Sequence, residues 1–100
     1  MKFTQRKLKK ELLSKIDQSS QVQLEKVERY LNLVELFYEL DEYIQSEGPL
    51  VLTVNGSQRF LKTNPALQEK GKINTQILAL ERSFDFKVET KIDDSGSDLI

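Results

Sequence analysis

Hydrophobic residues recur at helical spacing in three segments of the chain. In the first segment Leu8, Leu12 and Ile16 lie four residues apart, with mostly polar residues between them. Because side chains four positions apart share one face of an α-helix, this spacing predicts a short helix from Thr4 to about Asp17. The rest of its circumference is basic, so the helix is expected to turn one apolar stripe inward and a charged surface outward.

The second segment is longer and more apolar. No glycine or proline occurs between Gln21 and Glu47, and Gly48-Pro49 is a typical helix end. Ser20, followed three residues later by Gln23, forms a capping-box pattern at the start. These signals predict a single helix of about 26 residues, roughly 39 Å long.

The apolar surface of this long helix covers more than half of its circumference, whereas a one-sided surface helix has a stripe about 100° wide. A first strip consists of Val27, Tyr30, Val34, Phe37 and Ile44, widened by Leu31 and Tyr38, and a second of Leu33, Leu36, Leu40 and Tyr43. One strip is expected to pack on the chain's own hairpin and third helix, and the other on a second copy. The candidate oligomer interface therefore contains Val27, Leu33, Val34, Leu36, Phe37, Leu40 and Tyr43.

Residues that favour β-structure follow the long helix. Two such runs, Leu50 to Val54 and Ser57 to Leu61, flank Asn55-Gly56, the preferred pair for a type I′ turn. This arrangement predicts a small β-hairpin. Because a hairpin of two strands is marginally stable alone, it is expected to lie on a helix.

The third segment begins at Asn64-Pro65, with Asn64 as N-cap and proline at the first helical position. Apolar residues at helical spacing predict a helix from Pro65 to about Ser83, with Gly71 as a site of irregularity. The fold class is therefore mainly α. A single domain over 1–92 comprises a short basic N-terminal helix (1–19), one long central helix (20–48), a small β-hairpin (49–63) and a third, C-terminal helix (64–86). Residues 93–100 are acidic and small and are expected to form a flexible, disordered tail.

The composition excludes several kinds of chemistry. The chain has 100 residues and contains neither cysteine nor histidine, so disulfides, Cys/His zinc sites and imidazole catalysis are excluded. It has no apolar run of about 20 residues and no signal-peptide pattern, so a soluble protein without membrane contact is expected. No glycine-rich phosphate loop occurs, and no cofactor is predicted.

The net charge of −1 conceals a strong asymmetry. Residues 1–15 contain six lysines and arginines against one acidic residue, whereas residues 25–47 contain seven acidic residues against two basic ones. Basic side chains can neutralise DNA phosphates, so the basic end is a candidate for nucleic-acid contact. The alternative is that these lysines only keep a short helix soluble. A second basic region follows the predicted turn. The candidate DNA-binding residues are Lys2, Arg6, Lys7, Lys9, Lys10, Arg59 and Lys62.

The long helix also carries a stripe of carboxylates, Glu28, Glu35, Glu39 and Glu42. Carboxylates one turn apart can share a divalent ion, but a second helix usually supplies further ligands, often a histidine. A solvated helix face, or a face that pairs with basic residues of another chain, is the simpler interpretation. No metal site is therefore predicted.

The order of these features resembles the small subunits of phage terminases, in the short family whose core contains a hairpin. The resemblance rests on VERYLNLVELFYELDEYIQSEG (Val27–Gly48), the turn at Asn55-Gly56, the helix start Asn64-Pro65-Ala66, and Ile73–Phe84. It implies a non-catalytic subunit of viral DNA packaging in the cytoplasm of a bacterial host. Such a subunit recognises double-stranded phage DNA, assembles as a homo-oligomeric ring and regulates a large subunit that carries the ATPase and nuclease.

Two further hypotheses remain from the residues alone. One is a protein-interaction module, an adaptor or regulator that does not bind DNA and whose acidic helix docks a basic partner. The other is a small enzyme that uses the glutamate stripe with a divalent ion. Mass in solution and salt-sensitive DNA binding separate the packaging subunit from the protein-interaction module. Metal-dependent thermal stabilisation would indicate the enzyme.

Overall fold

Three helices and one hairpin follow one another as the hydrophobic pattern predicts. In a computed structural model, which describes residues 2–87, the helices are α1 (Gln5–Lys15), α2 (Gln21–Glu47) and α3 (Pro65–Ser83). The strands β1 (Leu50–Asn55) and β2 (Gln58–Thr63) pair antiparallel between α2 and α3. The mainly α fold class is confirmed. The expected acidic tail at 93–100 lies outside the described residues, as do 88–92 of the predicted domain.

Both α1 and α3 run antiparallel to α2 and flank it. On one side Phe3 contacts Tyr38 with ring centroids 5.6 Å apart, and Lys9 pairs with Glu28 further back along α2. On the other side, the α3 end packs near the α2 start, where Lys26 donates a hydrogen bond to the Ser83 carbonyl oxygen at 2.9 Å. The two flanking helices cover much of the wide apolar surface of α2 within one chain. Among residues 2–87, no helix is both long enough and apolar enough to cross a membrane.

The core lies where all three helices meet, towards the end at which α2 begins. Ile16 and Val27 are fully buried there, and the edge of the Phe84 ring packs on Tyr30 with centroids 5.8 Å apart. The complete buried apolar cluster is Leu12, Ile16, Val27, Tyr30, Val34, Ile77 and Phe84. Phe84 lies just beyond α3, so the chain after the last helix helps to close the core.

A tight turn joins α1 to α2. The backbone N–H and the hydroxyl of Ser19 donate hydrogen bonds to Asp17 Oδ1 at 3.0 and 2.7 Å, and these bonds lower the pKa of Asp17. Ser20 caps α2 by accepting from the Gln23 backbone N–H at 3.3 Å. In a capping box the Gln23 side chain would in turn accept a hydrogen bond from the Ser20 backbone N–H, and here it does not. Its Oε1 accepts from the Asp85 backbone N–H at 3.1 Å and so ties the segment after α3 to the start of α2.

Asn64 holds the hairpin to the two long helices. Gly48, with φ of 88°, ends α2 and donates its N–H to the Ile44 carbonyl at 2.7 Å. Asn64 is 1% exposed; its Oδ1 accepts from the Ala66 N–H at 3.0 Å and its Nδ2 donates to the Gly48 carbonyl at 2.9 Å. The predicted N-cap is confirmed, and the same side chain also joins the end of α2 to the start of α3. The helix continues through Gly71, so the irregularity expected there is absent.

The hairpin differs from the sequence prediction in two respects. Asn55 pairs with Gln58, so the two-residue turn consists of Gly56 and Ser57, one position later than expected. Glycine suits the first turn position because primed turns have a positive φ there, and Gly56 has φ of 64°. The hairpin also lies on none of the three helices between residues 2 and 87. Every residue of β2 is exposed, and in β1 only Val51 and Thr53 are half-buried.

Candidate nucleic-acid interface

The surface of α1 that faces away from α2 is basic. Arg6, Lys7 and Lys10 are all exposed there, and none of them forms an ion pair with any residue between 2 and 87. Because Lys10 lies four residues after Arg6 and three after Lys7, the three side chains are neighbours on the helix surface. We call these three residues the α1 patch. The two other basic candidates of this segment are placed differently: Lys2 precedes the helix, and Lys9 is held by Glu28 at 2.9 Å.

A shallow groove of about 400 Å³ runs beside the α1 patch. Its basic side consists of Arg6, Lys9 and Lys10. Leu13, Ser14 and Gln18 continue the groove towards the end of the helix. Gln18 is fixed by a hydrogen bond from Nε2 to the Leu13 carbonyl at 2.8 Å. The groove therefore offers two cationic side chains without an ion pair among residues 2–87, Arg6 and Lys10, beside Lys9, which pairs with Glu28. It is suited to phosphate contacts, which position a protein on a duplex without reading base sequence.

The second basic region does not join the α1 patch. The hairpin begins about 15 Å further along α2 than the Tyr38 region, where α1 starts. Arg59 lies opposite Val54 and Lys62 opposite Val51, which places the two basic side chains on opposite faces of the hairpin. Arg59 and Lys62, which the sequence predicts as a second basic region, therefore lie apart from the α1 patch, and their contact with DNA stays a prediction.

The candidate interface residues divide into buried and accessible groups. Val27 is fully buried and Val34 is 6% exposed, both within the chain's own core. Their side chains pack inside the monomer, so the strip that contains them is the one that packs within the chain, and contact of the other strip with a second copy stays a prediction. The spacing of α2 shows two apolar strips, and only the packing of α1 and α3 shows which of them is covered.

The second strip of α2 remains accessible in part. Leu36 is 38% exposed and Tyr43 is 52% exposed, while Leu33, Phe37 and Leu40 are half-buried. Phe37 is also engaged inside the chain, since the Lys70 ammonium, which pairs with Asp41, lies 4.9 Å from its ring centroid. The accessible surface of α2 is therefore centred on Leu36, Leu40 and Tyr43, which we call the α2 strip.

The glutamate stripe is exposed at all four positions, as its solvated interpretation requires. Among the described residues, no three Asp or Glu side chains come close enough together to hold a metal ion. One of the four, Glu28, is engaged with Lys9. The carboxylates line one helix and do not converge from separate elements, which metal-assisted hydrolysis would require.

A cleft of about 380 Å³ lies between the start of α1, α2 and α3. It is lined mainly by apolar side chains, and Tyr30 and Glu81 stand at its polar edge. The Tyr30 hydroxyl donates a hydrogen bond to the Glu81 carboxylate. Burial, reinforced by this hydrogen bond, raises the pKa of Tyr30 above its usual value. The phenol therefore remains protonated at neutral pH and serves as a structural donor.

Sequence reasoning missed one prominent surface. Four aliphatic side chains of the hairpin, Leu50, Leu52, Val54 and Leu61, are each more than half exposed. Four of the five residues from Leu50 to Val54 are apolar, so the sequence predicts a hairpin that lies on a helix and does not indicate an exposed face. Only the orientation of the hairpin after Gly48 shows that the rest of residues 2–87 leaves this face uncovered.

The described chain is a helical subunit with a basic N-terminal helix and an inserted, outward-facing hairpin. The family model described as phage terminase, small subunit, matches residues 6–91. The match spans α1, α2, the hairpin and α3, so the chain belongs to the phage terminase small subunit family and has a role in phage packaging. The resemblance stated from the sequence is confirmed. No curated protein and no solved structure matches the chain.

Proposed function

We propose that this chain is the non-catalytic, DNA-recognising subunit of a phage packaging machine. It assembles as a ring-shaped homo-oligomer and regulates a separate large subunit that hydrolyses ATP and cuts DNA. It acts in the cytoplasm of the bacterial host, on double-stranded phage DNA. Family membership supports the packaging role. The observation that carries the DNA-binding part is the exposed, cationic α1 patch.

The α1 patch suits a duplex backbone. Its three side chains project from one side of one helix, and those of Lys2 and Lys9 lie in the same segment. In a ring, each copy would present such a patch, so several weak phosphate contacts would add along one DNA molecule. The assembled ring would therefore bind DNA more tightly than the small patch of a single copy could.

The first experiment measures DNA affinity against salt concentration. Replacing Arg6, Lys7 and Lys10 with glutamine should reduce the slope of log affinity against log salt by about 0.9 for each lost phosphate contact, or about 2.7 in total. The matched control replaces Lys62, Lys72 and Arg82, all exposed, with glutamine, which changes the net charge equally but leaves α1 intact. An unchanged slope in the α1 variant would contradict this DNA surface.

The second experiment concerns catalysis. The purified chain alone should neither hydrolyse ATP nor nick plasmid DNA, in Mg²⁺ or in Mn²⁺. Its sequence has no glycine-rich phosphate loop, and the carboxylates of the residues that the structure describes do not converge. Added to the large subunit, it should change that subunit's ATPase or nuclease rate. Activity that stays with this chain and disappears in the double variant Glu35→Gln, Glu39→Gln would instead indicate an enzyme.

The same assays decide the adaptor alternative. A chain that changes the large subunit's rate but shows no salt-sensitive DNA binding would be a protein-interaction module. Its docking surface would then be the acidic face of α2.

A further inference from the structure

The hairpin presents an apolar face that no described part of the chain covers. Side chains of directly opposed residues in an antiparallel pair lie on the same face. The pairs Leu52 with Leu61 and Val54 with Arg59 therefore share a face with Leu50. Its four aliphatic side chains are 52–64% exposed. Because a two-stranded hairpin is marginal alone, this face requires a partner to be stable.

The charge on this hairpin face has a single sign. Residues 49–64 contain Arg59 and Lys62 and no acidic residue. Arg59 stands on the apolar face, beside the aliphatic side chains, whereas Lys62 stands on the other face. The hairpin face is thus an apolar surface edged by one cation.

The α2 strip has the opposite character. Tyr43 is 52% exposed, and Glu39 and Glu47 lie one turn before and one turn after it on the same side of the helix. Both carboxylates are exposed. The α2 strip is therefore an apolar surface edged by anions. Leu50 to Val54 spans about 14 Å of strand and Leu36 to Tyr43 about 10.5 Å of helix, so the hairpin face is long enough to cover the α2 strip.

We propose that the hairpin face of one copy docks on the α2 strip of the next copy. Neither surface is suited to pairing with itself. A contact between two hairpin faces would contain only cations, and a contact between two α2 strips only carboxylates. Neither would gain an opposite-charge pair, and like charges in one contact are unfavourable. The mixed pairing joins apolar area to apolar area and places Arg59 beside Glu39 and Glu47.

Because this contact joins two different surfaces, it is heterologous. Each copy uses its hairpin on one neighbour and its α2 strip on the other, and such contacts continue from copy to copy until they close into a ring. Asn64 fixes the base of the hairpin to the ends of α2 and α3, so the hairpin is held in a defined direction. The inference rests on the self-assembly in the proposed function and assigns its two surfaces.

The test mixes two variants that cannot assemble alone. In Arg59→Glu the hairpin face carries a glutamate, which would lie beside Glu39 and Glu47 in every contact. In the double variant Glu39→Arg, Glu47→Arg the α2 strip carries two arginines, which would lie beside Arg59 in every contact. Each variant alone should associate at least about tenfold more weakly than the wild type in light scattering at low salt. In an equimolar mixture each hairpin meets an α2 strip of opposite charge, so assembly should return.

Three controls keep the outcome unambiguous. Lys62→Glu makes the same charge change on the other face of the hairpin and should assemble as the wild type does. Leu52→Asp with Leu61→Asp should prevent assembly in every mixture, because it removes the apolar area. Far-ultraviolet circular dichroism should show unchanged helix content, since all substituted residues are exposed.

The two proposals fail in different ways. A wild type that stays monomeric at high micromolar concentration would overturn self-assembly and the hairpin contact together. A wild type that assembles while Arg59→Glu assembles equally well, or a mixture that stays dissociated, would overturn only the hairpin contact.

Discussion

Tyr30 on α2 and Glu81 on α3 are joined by a hydrogen bond that crosses the packed helices, with the phenol as donor. The Tyr30 ring is 8% exposed and packs on Phe84, while Glu81 is exposed. A single residue thus combines core packing with a polar contact that fixes α3 against α2. This pairing has a consequence for stability at high pH.

The first prediction concerns Tyr30→Phe. The folded state raises the pKa of Tyr30 through burial and through Glu81, so between the unfolded and folded pKa values only the unfolded chain releases this proton. Its contribution to stability is complete below the unfolded pKa of about 10 and is lost as pH rises above it. Urea unfolding should therefore show stability falling more steeply above pH 10 in the wild type than in Tyr30→Phe. Equal slopes would contradict the Tyr30 assignment.

At neutral pH the same substitution should have a small effect. Tyr30→Phe keeps the ring against Phe84 and removes one hydrogen bond, and water can solvate the exposed Glu81. A loss of about 1 kcal/mol in the free energy of unfolding is expected. Glu81→Gln is the matched variant, because it keeps an acceptor for the phenol and removes the charge.

The second prediction concerns the docking of α1. Ile16 directly follows α1 and is fully buried in the core. Ile16→Ala should therefore lower the free energy of unfolding by about 2–5 kcal/mol. Val22→Ala provides the control, since Val22 is 63% exposed and its truncation should change stability by less than about 0.5 kcal/mol. Urea midpoints measured at low protein concentration compare the two. Similar losses from both variants would show that α1 is not packed as described.

The third prediction separates the two roles of Asn64. Asn64→Asp keeps the acceptor for the Ala66 N–H but loses the Nδ2 donor to the Gly48 carbonyl, whereas Asn64→Ala loses both. The alanine variant should lose about 2 kcal/mol of stability, from the missing cap and an unsatisfied buried group. Hydrogen exchange of the hairpin amides should quicken in both variants. Protection unchanged from the wild type would mean that Asn64 does not anchor the hairpin.

The fourth prediction tests the coupling between Lys9 and DNA. Glu28 holds Lys9 at 2.9 Å, so Glu28→Gln releases Lys9 towards the α1 patch and removes a negative charge nearby. DNA binding should strengthen, and one added phosphate contact would steepen the salt slope by about 0.9. Glu42→Gln, which removes the same charge elsewhere on α2, should leave the slope unchanged. A slope that moves equally in both variants would indicate a general charge effect.

The local structure of the chain can be predicted from its sequence alone. The four-residue recurrence of Leu8, Leu12 and Ile16, the Gly48-Pro49 stop and the Asn64 cap each depend on residues close together in the chain. Backbone hydrogen bonding and side-chain spacing act over that same short range, so these elements were predictable. The set of motifs that carried the family resemblance is local for the same reason.

The tertiary structure decided which surfaces are covered. Helical spacing placed Val27 and Tyr43 equally on apolar strips of α2, but only the packing of α1 and α3 buried the first and left the second exposed. The direction of the hairpin, and the separation of Arg59 from the α1 patch, likewise depend on how the chain turns after Gly48. Burial is a relation between elements distant in sequence, and the pattern within one element therefore cannot specify its partner.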